Sequence, residues 1–119
     1  MNLELEARIQ QYLNRSAEVN GAAVLLEEGR KYGRVVAYRK NGGGRHCIAF
    51  IDLATGDVIK AATWKAPQKN ADGTPSVRYN LLDDRSFAIL LTVLDPYGSY
   101  LYKDFDAEAA YYLANAQNL

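Results

Sequence analysis

The sequence predicts an α+β fold: an antiparallel β-meander of three to four strands with N- and C-terminal helices. Three observations carry that reading. Leu5, Ile9, Tyr12 and Leu13 recur at helical spacing near the start of the chain. From Lys31 to Trp64 the pattern changes to a period of two, cut by the turn signals Asn41-Gly42-Gly43-Gly44 and Thr55-Gly56-Asp57. Phe87, Leu90, Leu91 and Leu94 then restore the helical spacing. Periodicity of this kind is the main local signal for helix against strand. The 119 residues are the size of a single domain, 1–119.

The elements follow in order. Residues 3–15 form a helix whose other side is polar, with Arg8, Gln10, Gln11 and Arg15. A second short helix is expected over 22–28, capped by Asn20 and stopped by Gly29. Residues 31–40 read as a strand with Tyr32, Arg34, Val36 and Tyr38 on one face. The glycine-rich 41–44 segment turns the chain, because these residues tolerate positive φ. A strand over 45–52 follows, with His46, Ile48 and Phe50 opposite Cys47, Ala49 and Ile51, and a third strand runs over 58–64. Residues 67–75 hold two prolines, Asn70, Asp72 and Gly73, which makes them a loop. A fourth strand is expected over 77–82 and a helix over 85–94, capped by Asp83 or Asp84. Asp95-Pro96-Tyr97-Gly98 ends that helix, 100–102 form a short strand or arm, and a last helix covers 107–116.

Charge is neutral overall, 14 basic against 14 acidic side chains, but unevenly spread. Residues 1–29 carry a net −3, residues 30–78 a net +7 and residues 79–119 a net −4. A basic centre between acidic ends points to an anionic partner for the centre. Nine tyrosines add flat rings with a polar edge, suited to interfaces as well as to cores. A single cysteine, Cys47, allows no internal disulfide, which fits a reducing compartment. The first residues lack the basic-then-apolar order of a signal peptide, and no apolar run approaches the ~20 residues of a membrane span. The expectation is a soluble, cytoplasmic protein without a membrane partner.

Four segments carry a family resemblance: Gly56-Asp57-Val58-Ile59-Lys60, Trp64-Lys65-Ala66-Pro67, Arg78-Tyr79-Asn80-Leu81 and Tyr97-Gly98-Ser99-Tyr100-Leu101. Together they resemble a set of small bacteriophage proteins that carry no assigned activity. The likeness covers about residues 30–103 and is sharpest at Trp-Lys-Ala-Pro, while the stretch 68–76 is longer than in that pattern. It implies a phage source and action inside an infected host cell. It implies no catalytic residue.

Enzyme chemistry finds little to work with. Adjacent strand residues point to opposite faces, so His46 and Cys47 do not make a thiolate–imidazole pair. One histidine and one cysteine fall short of a usual zinc set. Gly42-Gly43-Gly44 lacks the Gly-Lys-Ser/Thr ending of a phosphate-binding loop and leads into a strand. Asp52, Asp57 and Lys60 gather near one turn, but Asp57 in Thr-Gly-Asp reads as a turn residue. No catalysis, metal or cofactor is expected.

Binding suits the residues better. Single-stranded nucleic acid is held by cations that track phosphates and by rings that stack on bases. Arg34, Arg39, Lys40, Arg45, Lys65, Lys69 and Arg78 are the expected phosphate ligands, and Tyr38 and Trp64 the expected stacking rings. The opposing reading is that the tyrosines simply pack and that the acidic helices neutralise the strands. Two other partners remain open: a host protein inhibited through the 67–75 loop and the 97–102 arm, and a small anionic nucleotide held by Arg and Tyr. A homo-oligomer is compatible with all three.

Overall fold

A computed structural model describes residues 2–39, 43–96 and 98–102 of the chain. The helix expected over 107–116 lies outside the described residues, as does the apex of the 41–44 turn up to Gly42.

Helix α1 spans Leu3–Asn20, longer than its apolar stripe alone indicates. Asn2 caps it by accepting from the Leu5 N–H at 2.6 Å. Gly21, at φ 64°, ends it in the left-handed conformation and returns its N–H to the Ala17 carbonyl.

Strands β1 (Val24–Glu28), β2 (Tyr32–Tyr38), β3 (Arg45–Asp52), β4 (Asp57–Lys60) and β5 (Val77–Asn80) form one antiparallel sheet in the order β1-β2-β3-β4-β5. The meander therefore holds five strands. The additional one is β1, which takes the place of the short helix expected over 22–28. Its residues pair with β2 from Val24↔Ala37 to Glu28↔Gly33. Five residues are too few to hold a helix alone, and an apolar run this short fits either period. The ladder offered by β2 decides it. Strand β4 stops at Lys60, so Trp64 lies in the following loop and not on a strand.

Helix α2 (Asp84–Val93) follows, with Asp83 as its cap, accepting from the Ser86 N–H at 2.8 Å. The arm expected over 100–102 is a 3-10 turn, Ser99–Leu101.

The main core lies between the helices and one sheet face. Leu5, Ile9, Tyr12 and Leu13 of α1 and Phe87, Leu90 and Val93 of α2 meet Val35, Ala49, Ile51, Val58 and Tyr79 of the strands. Arg8 ties the helices together: it donates to the Leu81 carbonyl at 2.9 Å, pairs with Asp84, and lies 5.0 Å over the Phe87 ring. The sheet's other face also holds buried side chains, Val36, Phe50 and Ile59, outside that main core. The segment 61–76 folds back over this face, helix-free among the described residues, where the Trp64 carbonyl accepts from Arg34 Nε at 2.8 Å.

Candidate functional site

Strand alternation sends Tyr32, Arg34, Val36 and Tyr38 of β2 to the helix-free face, together with Leu25 and Glu27 of β1. Strict alternation along β3 would keep His46 and Ile48 beside Phe50 and send Arg45 to the helices. A β-bulge changes that. Val35 pairs with Ala49 but Val36 pairs with Cys47, so Ile48 is an extra residue in β3. One inserted residue reverses the parity of everything before it. Arg45 and Cys47 thereby join Arg34 and Phe50 on the helix-free face, while His46 turns to the helix side opposite Ala37.

The bulge brings two guanidinium groups to one indole. Arg34 lies 4.6 Å and Arg45 4.9 Å from the centroid of the Trp64 ring. Arg34 also stands 5.8 Å from Phe50, whose ring meets Tyr32 edge-on at 6.2 Å. Each such cation–ring contact contributes about 0.5–2 kcal/mol, depending on how dry it is. A tight turn presents the tryptophan: Thr63 Oγ1 accepts from the N–H groups of Lys65 and Ala66, both at 3.2 Å.

Glu27 is the carboxylate of this cluster. Its two oxygens accept from Arg45 Nη1 at 3.3 and 3.1 Å, and it stands 3.9 Å from Arg34 Nη1. Three carboxylates of the described helices are engaged elsewhere, Glu4 and Asp84 with Arg8 and Glu18 with Arg15. Among the described residues, Glu27 is the only ion-pair partner of Arg34 and Arg45.

Cys47, half-buried on the same face, has its thiol pushed up to about 11, chiefly by burial, with the Arg34 charge acting in the opposite sense. At neutral pH it is a thiol and not a nucleophilic thiolate. Asp57, expected in the turn, opens β4 opposite Asn80: its side chain accepts from Asn80 Nδ2 at 2.8 Å and its N–H donates to Thr55 Oγ1. Among the described residues no cluster of three or more His, Cys, Asp or Glu side chains could hold a metal ion.

Residues 2–103 match the family of unknown function DUF7717. The chain belongs to DUF7717. No curated protein and no solved structure matches it. The matched span takes in all five strands and both described helices, so the Arg34–Trp64–Arg45 cluster lies inside the DUF7717 region.

Of the residues expected to bind, this DUF7717 chain brings Arg34, Arg45 and Trp64 into direct contact. Tyr38 is the register partner of Arg45, and exposed Lys65 follows Trp64 in the turn. Lys69 sits further along the loop, in an isolated bridge with Pro75, and Arg78 is exposed on edge strand β5, two strands from Arg45. Arg39 is exposed just past the end of β2, and Lys40 lies outside the described residues. Glu27 had no place in the expected set. Its role follows from β1 being a strand, and the local sequence carries no separate signal for it.

Proposed function

We propose that the helix-free face of the sheet binds single-stranded nucleic acid, without catalysis, in a phage-encoded protein that acts in the host cytoplasm. The observation that carries this reading is the setting of Arg34 and Arg45. The two described helices lie behind the sheet, where Glu4, Asp84 and Glu18 pair with Arg8 and Arg15, so among the described residues the two central guanidiniums pair with one carboxylate, Glu27. A guanidinium stacked on a ring uses its flat face and keeps the N–H groups of its edge for phosphate oxygens. Trp64 therefore orients the cations in this reading, and its half-buried ring is not an open platform. Stacking on bases falls to Tyr38, half-buried next to Arg45 in the ladder. Lys65 extends the cationic edge from the turn.

A fluorescence titration of Trp64, the sole tryptophan, with a short single-stranded oligonucleotide tests this. The indole sits between the proposed phosphate ligands, so binding should change its emission. Affinity should fall steeply with salt, with a log–log slope of about −2 for three phosphate contacts on a single strand. Unchanged emission together with a flat gel shift at low salt overturns it.

One observation favours a second reading, a protein partner on the same face. Leu25 at one edge of the sheet and Val77 at the other are 53% and 45% exposed there. Binding centred on those side chains would hardly respond to salt and would be lost on Leu25→Asp.

A further inference from the structure

The bulge in β3 shapes a second candidate site, at the junction of the end of α1 with the end of β2 and the start of β3. His46, turned to the helix side, lines a cavity of about 270 Å³ with Asn20, Ala22, Tyr38 and Arg39. Asn20 comes from the end of α1, Tyr38 and Arg39 from the end of β2, and His46 from the start of β3. Three elements thus converge on the cavity.

Arg39 is fixed in this wall. Its N–H donates to the Gly44 carbonyl at 3.0 Å. Its stem lies against Gly43: a Cβ there would stand 3.1 Å from Arg39 Cδ and 3.3 Å from Arg39 Cβ, closer than side chains normally pack. Arg39 forms no ion pair with a described residue. The imidazole of His46 is held below its ordinary value, first by burial and then by the Arg39 charge. Two groups that can both be cationic thus share one cavity.

Among the described residues, Asp95, Tyr100 and Asn20 are the other polar groups nearest His46, and each makes hydrogen bonds of its own. A smaller cavity of about 70 Å³ adjoins the first, sharing Asn20 and His46, and is lined by Asp95, Tyr100 and Tyr102. Asp95 spends its carboxylate locally, accepting from the N–H and hydroxyl of Ser99 and from the Tyr100 N–H. Tyr100 is buried and held well above its ordinary value, so it stays neutral. Asn20 donates its amide to the Ser16 carbonyl at 2.7 Å.

We propose that this cavity binds a phosphomonoester-type dianion, held between the Arg39 guanidinium and the protonated imidazole of His46. The volume lies just below the ~300 Å³ at which pockets for larger ligands begin, so it suits a phosphate with at most a sugar attached. An imidazolium and a guanidinium both donate charge-assisted hydrogen bonds, the strongest kind available to a phosphate oxygen. Binding and protonation then reinforce each other: the anion draws the His46 titration upward, and affinity falls as pH rises through it.

His46 is the sole histidine, so one imidazole resonance reports the site in the intact, untagged chain. Its NMR titration is followed alone, with inorganic phosphate, with sulfate, whose charge is constant near neutral pH, and with a nucleoside 5′-monophosphate. The expected result is an upward move of the His46 midpoint with each anion. Arg39→Gln should weaken phosphate binding by at least ~10-fold, the cost of one charge-assisted contact, and should abolish the shift. His46→Gln should retain weaker sulfate binding that no longer varies with pH near neutrality, while phosphate binding follows only the anion's own ionisation. Tighter binding of the nucleotide than of phosphate makes a nucleotide the ligand, and equal binding makes it phosphate itself. A midpoint unmoved at millimolar anion, or a shift that survives in Arg39→Gln, overturns the proposal. Arg39 is exposed, so that variant should fold, and a Trp64 emission spectrum matching the parent verifies it.

Discussion

Glu27 is the residue on which the sheet face turns. It already occupies Arg45 with both oxygens and stands 3.9 Å from Arg34. A phosphate that reaches this pair must displace it, so Glu27 is a built-in competitor in the proposed binding mode. Substitutions on the two sides of the pair should therefore act in opposite directions. Glu27→Gln removes the competing charge and should tighten oligonucleotide binding about 2–5-fold at low salt, the worth of a partly exposed ion pair. Arg45→Gln should weaken it and lower the magnitude of the salt slope by about 0.7, the loss of one phosphate contact on a single strand. Oligonucleotide titrations at three salt concentrations read both effects. Weaker binding by Glu27→Gln would mean that the carboxylate positions the guanidiniums and does not compete.

At the scale of elements, the β3–β4 turn couples the sheet to α1. Asp52 Oδ1 accepts from the N–H groups of Ala54 and Thr55 at 2.9 and 3.1 Å, and Gly56 closes the turn at φ 80°. A Cβ at Gly56 would meet Leu5 Cδ1 at 3.1 Å and Leu82 Cγ at 3.3 Å. Backbone and packing both require glycine there. Gly56→Ala should destabilise the fold by about 1–3 kcal/mol, seen as a lower urea midpoint with the slope unchanged. This turn, α1, the strands from β2 to β5 and α2 were all legible in the sequence, because each element is long enough or sharply enough bounded to declare its period. Strand β1 was not. Its Val24-Leu25-Leu26 run suits either period, and only the Val24↔Ala37 pairing settles it. The bulge at Ile48 was equally hidden, since a ladder and not local composition sets a bulge. Both gaps reached the candidate site. Sequence placed Arg34, Arg45 and Trp64 in one set, but strict alternation would have put Arg45 behind the sheet, and Glu27 was assigned to a helix. The 61–76 segment was read as a loop after Pro67, and nothing local announced that it would fold back and hold Trp64 against two arginines.

At the scale of the whole molecule, a chain of hydroxyl groups crosses the main core. Tyr12 of α1 and Tyr100 of the 3-10 turn share a hydrogen bond of 2.8 Å between their hydroxyls, and Tyr79 of β5 donates to the Tyr100 carbonyl at 2.7 Å. Three separate elements are joined through buried polar groups that exchange water for one another on folding. Burial raises both Tyr12 and Tyr100 above the ordinary tyrosine value, and for Tyr100 the neighbouring Tyr12 adds to the shift. A raised value in the folded state means that the unfolded chain loses its protons first. The stability that these two rings contribute is therefore complete below about pH 10, the ordinary tyrosine value, and falls as pH rises beyond it, adding to the loss that Cys47 begins about one pH unit lower. Each of the two buried rings should contribute up to about 1.4 kcal/mol of lost stability per pH unit in that range. Urea unfolding followed by circular dichroism between pH 8 and pH 11 measures the slope. Tyr12→Phe should lower stability at pH 8, because Tyr100 loses its hydroxyl partner, yet make the alkaline fall shallower, because one titrating ring is gone. An alkaline slope equal in the parent and in Tyr12→Phe would show that the pair does not set the alkaline limit and that other groups, Cys47 among them, do.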